Sequence, residues 1–228
     1  GRYEYHNKGF DILIEALSEL NDRPGEDIYF FFFVPSDVKG PDMTVLENKS
    51  LYDELEDYVD SKMPEVRKKF LNAVTSGEDP AKGIEDSLDD SEKLEFLQSN
   101  FHARKNDKPP ISAFELNYEH DDIVEALKQE GLTNKESDRV KVVFYPTYLS
   151  VGDKLLSMGY EDAVVASSAG FFPSYYEPWG YTPVETAANG ALALTTDLAG
   201  FGQFLIDEVD SSNRSGIKVL KRKNRDRE

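Results

Sequence analysis

The chain has no cysteine among its 228 residues. That excludes a disulfide framework, a thiolate nucleophile and any cysteine-ligated zinc. Histidine is almost as scarce. His6, His102 and His120 are scattered, with no metal-ligand spacing. Long apolar runs are also missing. The longest, 28–35 and 163–172, fall far short of the roughly 20 residues a membrane-crossing helix needs. No secretory pattern opens the sequence, and the expectation is a cytoplasmic protein that does not engage a membrane. Cations are in deficit. There are 26 Lys and Arg against 44 Asp and Glu, for a formal net charge of -18. Nucleic-acid binding needs a basic face and is not expected on this balance. In so negative a field, an anionic ligand binds only where a few cations locally reverse the potential.

What is present suffices for one sizeable core, with 39% hydrophobic residues. Phe10, Ile12, Leu13, Ala16, Leu17 and Leu20 recur at helical spacing, so residues 8–20 are expected to form an amphipathic helix. A turn with Pro24 and Gly25 follows. The continuous apolar run at 28–34 (IYFFFFV) then suits a strand buried on both faces, as in a parallel sheet. VKVVFY at 140–145 reads the same way. Later expectations are helices at 120–130, 160–167, 183–189 and 201–208, and strands at 170–173, 191–196 and 217–220. Alternation of this kind belongs to an α/β domain.

Residues 45–106 break the rhythm. They are strongly charged, and Leu51, Leu55, Tyr58, Val59 and Met63, then Val66, Phe70, Leu71 and Val74, then Leu88, Leu94 and Leu97 fall at helical spacing. Two or three helices are expected, with an acidic, poorly ordered break near 75–90. Their apolar stripes fit either a solvated excursion or a self-association surface. The basic end, KRKNRDRE at 221–228, reads as a solvated tail.

The segment 171–186, FFPSYYEPWGYTPVET, carries the chemistry. Glu177 and Glu185 stand eight positions apart, with an aromatic, glycine-broken loop around the first. An apolar run leads in and a small-residue helical pattern leads out. In open α/β sheets, ligands sit at the carboxyl ends of the strands, where such loops lie. A carboxylate there can grip sugar hydroxyls, and the N-terminus of the outgoing helix offers backbone N–H groups to phosphate. The plainer alternative is a turn in which Trp179 packs while Pro178 and Gly180 set the backbone.

That segment, with TTDLAGFG at 195–202, resembles glycogen synthases of the eukaryotic type, glycosyltransferase family 3. GRYEYHNKGFDILIEAL at 1–17, DRVKVVFYPTYL at 138–149 and MGYED at 158–162 are similar to further stretches of that family, in its order. The resemblance implies a Rossmann-like parallel sheet with helices on both faces. It would be the C-terminal half of a GT-B glycosyltransferase, with 45–106 as a helical insertion that helps build an oligomer. It implies a retaining glucosyltransferase acting from UDP-glucose, or another nucleoside diphosphate glucose, onto the non-reducing end of glycogen. Arg2 and Lys8 would meet the donor diphosphate, so that no metal or other cofactor is required.

The resemblance also places Glu177 beside the donor sugar and Glu185 on the ribose. Tyr148 and Tyr160 would lie around the uracil, and Tyr181 and Thr182 at the phosphates. Trp179 and Gly180 would complete the substrate loop. Front-face attack assisted by the leaving phosphate is preferred over double displacement, because no second catalytic carboxylate is evident nearby. The family's N-terminal half, with its acceptor contacts, is not in this sequence. The chain is therefore expected to be the donor-binding half of a longer enzyme, and inactive or nearly so by itself. The alternatives are a non-catalytic binding or oligomerisation module of the same fold, or another retaining transferase of the sucrose or trehalose synthase type. The wording YYEPWGYTP disfavours the latter.

Overall fold

The structure is a computed structural model and describes residues 1–85, 91–104, 108–214 and 216–222. It separates into two compact units, Gly1–Asp42 with Pro110–Glu228, and Met43–Pro109.

In the first unit, β1 (Ile28–Phe33) pairs in parallel with β4 (Val140–Tyr145), from Ile28 opposite Val140 to Phe33 opposite Tyr145. The register puts Phe30 and Phe32 on the same face as Val142 and Phe144. That face is sealed by α1 (Phe10–Asn21) and α5 (Asp122–Gln129), through Leu13, Ile14, Leu17, Ile123 and Leu127. Burial of this cluster is the main stabilising term here. Asp121 starts α5 cleanly, its carboxylate accepting from the N–H groups of Ile123 and Val124. The side chain of Asn134 bonds both backbone groups of Val142 and so covers the outer edge of β4.

The run at 28–34 is not buried on both faces as its composition suggests. Tyr29 is 68% exposed and Phe31 41%. The helices that bury Phe32 lie on the other face. On this face Phe31 stacks on Phe33, and the buried Tyr145 ring packs against Phe33 and Phe114.

A second parallel sheet joins β5 (Ala169–Phe171), β6 (Leu192–Thr196) and β7 (Ile217–Leu220) in that order. α7 (Tyr181–Ala188) packs on β5 and β6, and α8 (Gly200–Glu208) on β6 and β7. Between the two parallel pieces the rings of Phe30 and Phe171 meet at 5.7 Å. α6 (Tyr160–Val165) precedes β5, and residues 149–156 form no regular element. A short antiparallel pair, β2 (Val38–Pro41) with β3 (Phe114–Leu116), was not evident from sequence.

The second unit is helical. α2 (Met43–Ser76) runs unbroken through Pro64, so the two apolar stripes around that proline belong to one helix. α3 (Pro80–Glu85) and α4 (Ser91–Arg104) follow. Leu51, Tyr58 and Leu97 form a small buried cluster between α2 and α4. Leu88, part of the acidic break around it, and the tail beyond residue 222 lie outside the described residues. No helix among the described residues is long and apolar enough to cross a membrane.

Candidate functional site

Parallel strands place all their carboxyl ends at one edge, and the loops that leave that edge build the site. The segment 1–9 passes the end of β1, where the Gly1 amine donates to the Phe33 carbonyl at 2.9 Å. It then coils into a turn before α1. Lys8 N–H donates to Glu4 O at 2.8 Å, and Gly9 N–H to His6 O at 2.9 Å. The segment 172–180 leaves β5. The two meet where Tyr175 N–H donates to Asn7 O at 2.8 Å. Gly9 makes this possible. Its φ is 70°, and a Cβ built there would stand 2.2 Å from the Pro173 carbonyl oxygen.

This junction brings Lys8 and Glu177 together. The Lys8 ammonium donates to Glu177 Oε2 in an ion pair whose side chains are 17% and 29% exposed. A cation and an acid 169 positions apart are thus joined at the carboxyl edge of the sheets.

The loop around Glu177 is held from behind. Gly200 N–H donates to Glu177 O at 2.9 Å, and Phe201 N–H to Trp179 O at 2.8 Å. A Cβ on Gly200 would lie 2.1 Å from the Pro178 carbonyl oxygen, so only glycine lets the two backbones approach. The buried Thr196 hydroxyl donates to Ser174 O at 2.8 Å. Arg222, just after β7, places its guanidinium 3.8 Å from the centre of the Tyr175 ring and donates to Pro173 O at 2.8 Å. Its own N–H donates to the Asp197 carboxylate at 2.7 Å. Arg222, Asn7 and Thr196 escape a reading of sequence. A cation beside a basic tail reads as solvated, and the other two act through contacts made only by folding.

Of the remaining expected residues, Glu185 lies on α7 and accepts from the Tyr160 hydroxyl at 3.0 Å. Burial and this carboxylate push the Tyr160 pKa up to about 12. Tyr160 is 43% exposed and Tyr148, after β4, is 81% exposed, so neither is a core residue. Gly180 precedes α7 with φ 97°, and no side chain caps the helix. Of its first residues, Tyr181 is exposed and Thr182 half-buried. Trp179 packs against Phe201 and Phe204 of α8 at 5.8 and 5.6 Å, and stays 38% exposed. Arg2 is exposed, and no described hydrogen bond or ion pair joins its side chain to Lys8 or Glu177. His6 is turned toward Asp11, with its Nδ1 3.2 Å from the carboxylate.

The comparisons with known proteins agree on one family. A protein-family model described as glycogen synthase matches residues 1–228. The liver glycogen [starch] synthase of Homo sapiens is 34% identical across 98% of this chain and 32% of the relative. The glycogen [starch] synthase of Caenorhabditis elegans is 32% identical across 99% of this chain and 34% of its own length. That of Neurospora crassa is 32% identical across 99% and 33%. The chain spans about a third of the length of these curated relatives.

Proposed function

The chain belongs to the glycogen synthase family, and we propose that it forms the nucleotide-sugar-binding part of a retaining glucosyltransferase that extends an α-1,4-glucan. The observation that carries this reading is the Lys8–Glu177 pair. Lys8 supplies a fixed positive charge to the leaving diphosphate, where negative charge grows in the transition state. Arg2, on the same segment, swings in to add a planar fork to phosphate. Glu177 lies beside the donor sugar, where it grips hydroxyls and stabilises developing oxocarbenium character. The uncapped start of α7 offers the N–H groups of Tyr181 and Thr182 to phosphate oxygens. Glu185 accepts from the ribose, and the accessible rings of Tyr148 and Tyr160 hold the base, with UDP-glucose as the expected donor. Trp179 and Gly180 shape the loop. Contacts to the acceptor glucan and the second wall of the cleft come from polypeptide outside residues 1–228, in a cytoplasmic enzyme.

Calorimetry with UDP tests this. The unaltered protein is expected to bind UDP and Lys8→Ala to lose most of that affinity. In the longer enzyme that contains this segment, assayed with a glucan acceptor, Glu177→Ala and Lys8→Ala are expected to abolish transfer without unfolding. Normal turnover in both variants would end the reading.

The helical unit supports a second role beside the first. Met63, Phe70, Leu71 and Val74 stand exposed along α2, which favours residues 43–109 as an insertion whose apolar stripe is covered by another copy of the protein. Sedimentation of a Phe70→Glu, Leu71→Glu variant should then show a smaller species than the unaltered protein.

A further inference from the structure

Tyr160 opens α6 and Glu185 sits on α7, so two different crossovers converge on one hydrogen bond. The phenol is accessible enough to be satisfied by water, yet it donates to Glu185 Oε2 at 3.0 Å. Its raised pKa keeps the proton in place throughout the neutral range, so toward Glu185 it is a donor. A carboxylate offers about four lone-pair sites. The phenol takes one on Oε2 and leaves Oε1, with a second site on Oε2, for donors from a ligand. A glutamate on a helix surface samples several rotamers, and ordering it on binding costs affinity. Here part of that ordering precedes the ligand.

We infer that Tyr160 is a positioning residue whose hydroxyl fixes the Glu185 carboxylate to accept from both vicinal hydroxyls of a ribose, making the site select ribonucleotides over 2′-deoxyribonucleotides. This rests on the nucleotide-binding reading above and adds to it a division of labour within one side chain. The ring serves the base, while the hydroxyl serves the sugar through Glu185.

The test is calorimetry of UDP and 2′-deoxy-UDP with the unaltered protein, Tyr160→Phe, Glu185→Gln and the double variant. The unaltered protein should prefer UDP by about tenfold or more, the scale of a hydrogen bond to a charged group. In Tyr160→Phe the preference should fall to about two- to threefold, with 2′-deoxy-UDP affinity kept within about twofold because the ring remains. Glu185→Gln should lower the preference similarly, and the double variant should lower it no further. An unchanged preference in Tyr160→Phe would overturn the positioning role while leaving nucleotide binding intact. Equal loss of both nucleotides in that variant would also overturn it, since only the ring's placement would then have mattered. Failure of the unaltered protein to bind UDP at all would overturn the function reading, and this inference with it.

Discussion

Glu177→Gln is expected to make the protein bind UDP more tightly. The Lys8 ammonium is engaged by Glu177, so a diphosphate must compete with a neighbouring carboxylate for the same cation. A charge-assisted hydrogen bond contributes about 1.5–3 kcal/mol net. With the two side chains 17% and 29% exposed, solvent screening lowers this to about 1–2 kcal/mol. The neutral amide keeps the shape of the side chain and removes most of that competition. It also removes a negative charge beside the phosphates. UDP affinity should therefore rise by about 5- to 30-fold, the equivalent of that free energy. Lys8→Ala should move affinity the other way, and in Lys8→Ala the further Glu177→Gln change should raise affinity much less than in the unaltered protein, because the competition needs both partners and only the lost repulsion toward the phosphates remains. Titration calorimetry at low salt reads all four proteins, and raising the salt should shrink the gain. If Glu177→Gln binds UDP no better than the unaltered protein, the pair does not occupy the phosphate site and the reasoning fails.

Gly200→Ala sets a methyl group against the Pro178 carbonyl, at 2.1 Å before relaxation. The displaced loop should cost about 1–3 kcal/mol, read as a lower denaturant midpoint together with weakened UDP binding. An unchanged midpoint would contradict the close approach. Arg222→Ala removes a cation over the Tyr175 ring and a bond to Pro173 O. The expected loss is about 1–2 kcal/mol, a fall of roughly 2–8 °C in the thermal midpoint, with Arg222→Lys intermediate. Alkali should also destabilise the fold. Burial above all, and nearby carboxylates after it, raise the pKa values of Tyr3, Tyr5 and Tyr160 above 10.0. Each therefore holds its proton more tightly folded than unfolded. The stability they contribute is full below pH 10 and declines as pH climbs toward 12. Absorbance titration should show these phenols ionising late, and a Tyr160→Phe variant should lose part of the late wave.

Much of the first unit was legible in the chain. Continuous apolar runs announced β1 and β4, apolar periodicity announced α1, and a small-residue helical pattern announced α7. A strand's run shows that it is apolar but not which of its faces a helix reaches, so the exposure of Tyr29 and Phe31 could not be read from it. β2 and β3 are three or four residues long, too short for alternation to register. Pro64 looks like a boundary in sequence but lies inside α2. The site divides in the same way. The loop wording singled out Glu177 and Glu185, and resemblance to a family singled out Lys8. Residue types alone did not couple Lys8 to Glu177, Tyr160 to Glu185 or Arg222 to Tyr175. Each pair is separated by at least 25 positions, and only the parallel topology makes them neighbours.

The antiparallel pair of β2 and β3 has one more implication. Pro41 lies opposite Phe114, and Asp42 N–H donates to Ala113 O at 3.0 Å. The polypeptide that departs after residue 42 thus returns through the same doorway, a single hairpin's width across. Closing a long excursion costs only slightly more chain entropy than closing a short one. Descent with modification is therefore free to enlarge, trim or exchange what hangs from that doorway, while the parallel sheets keep their form.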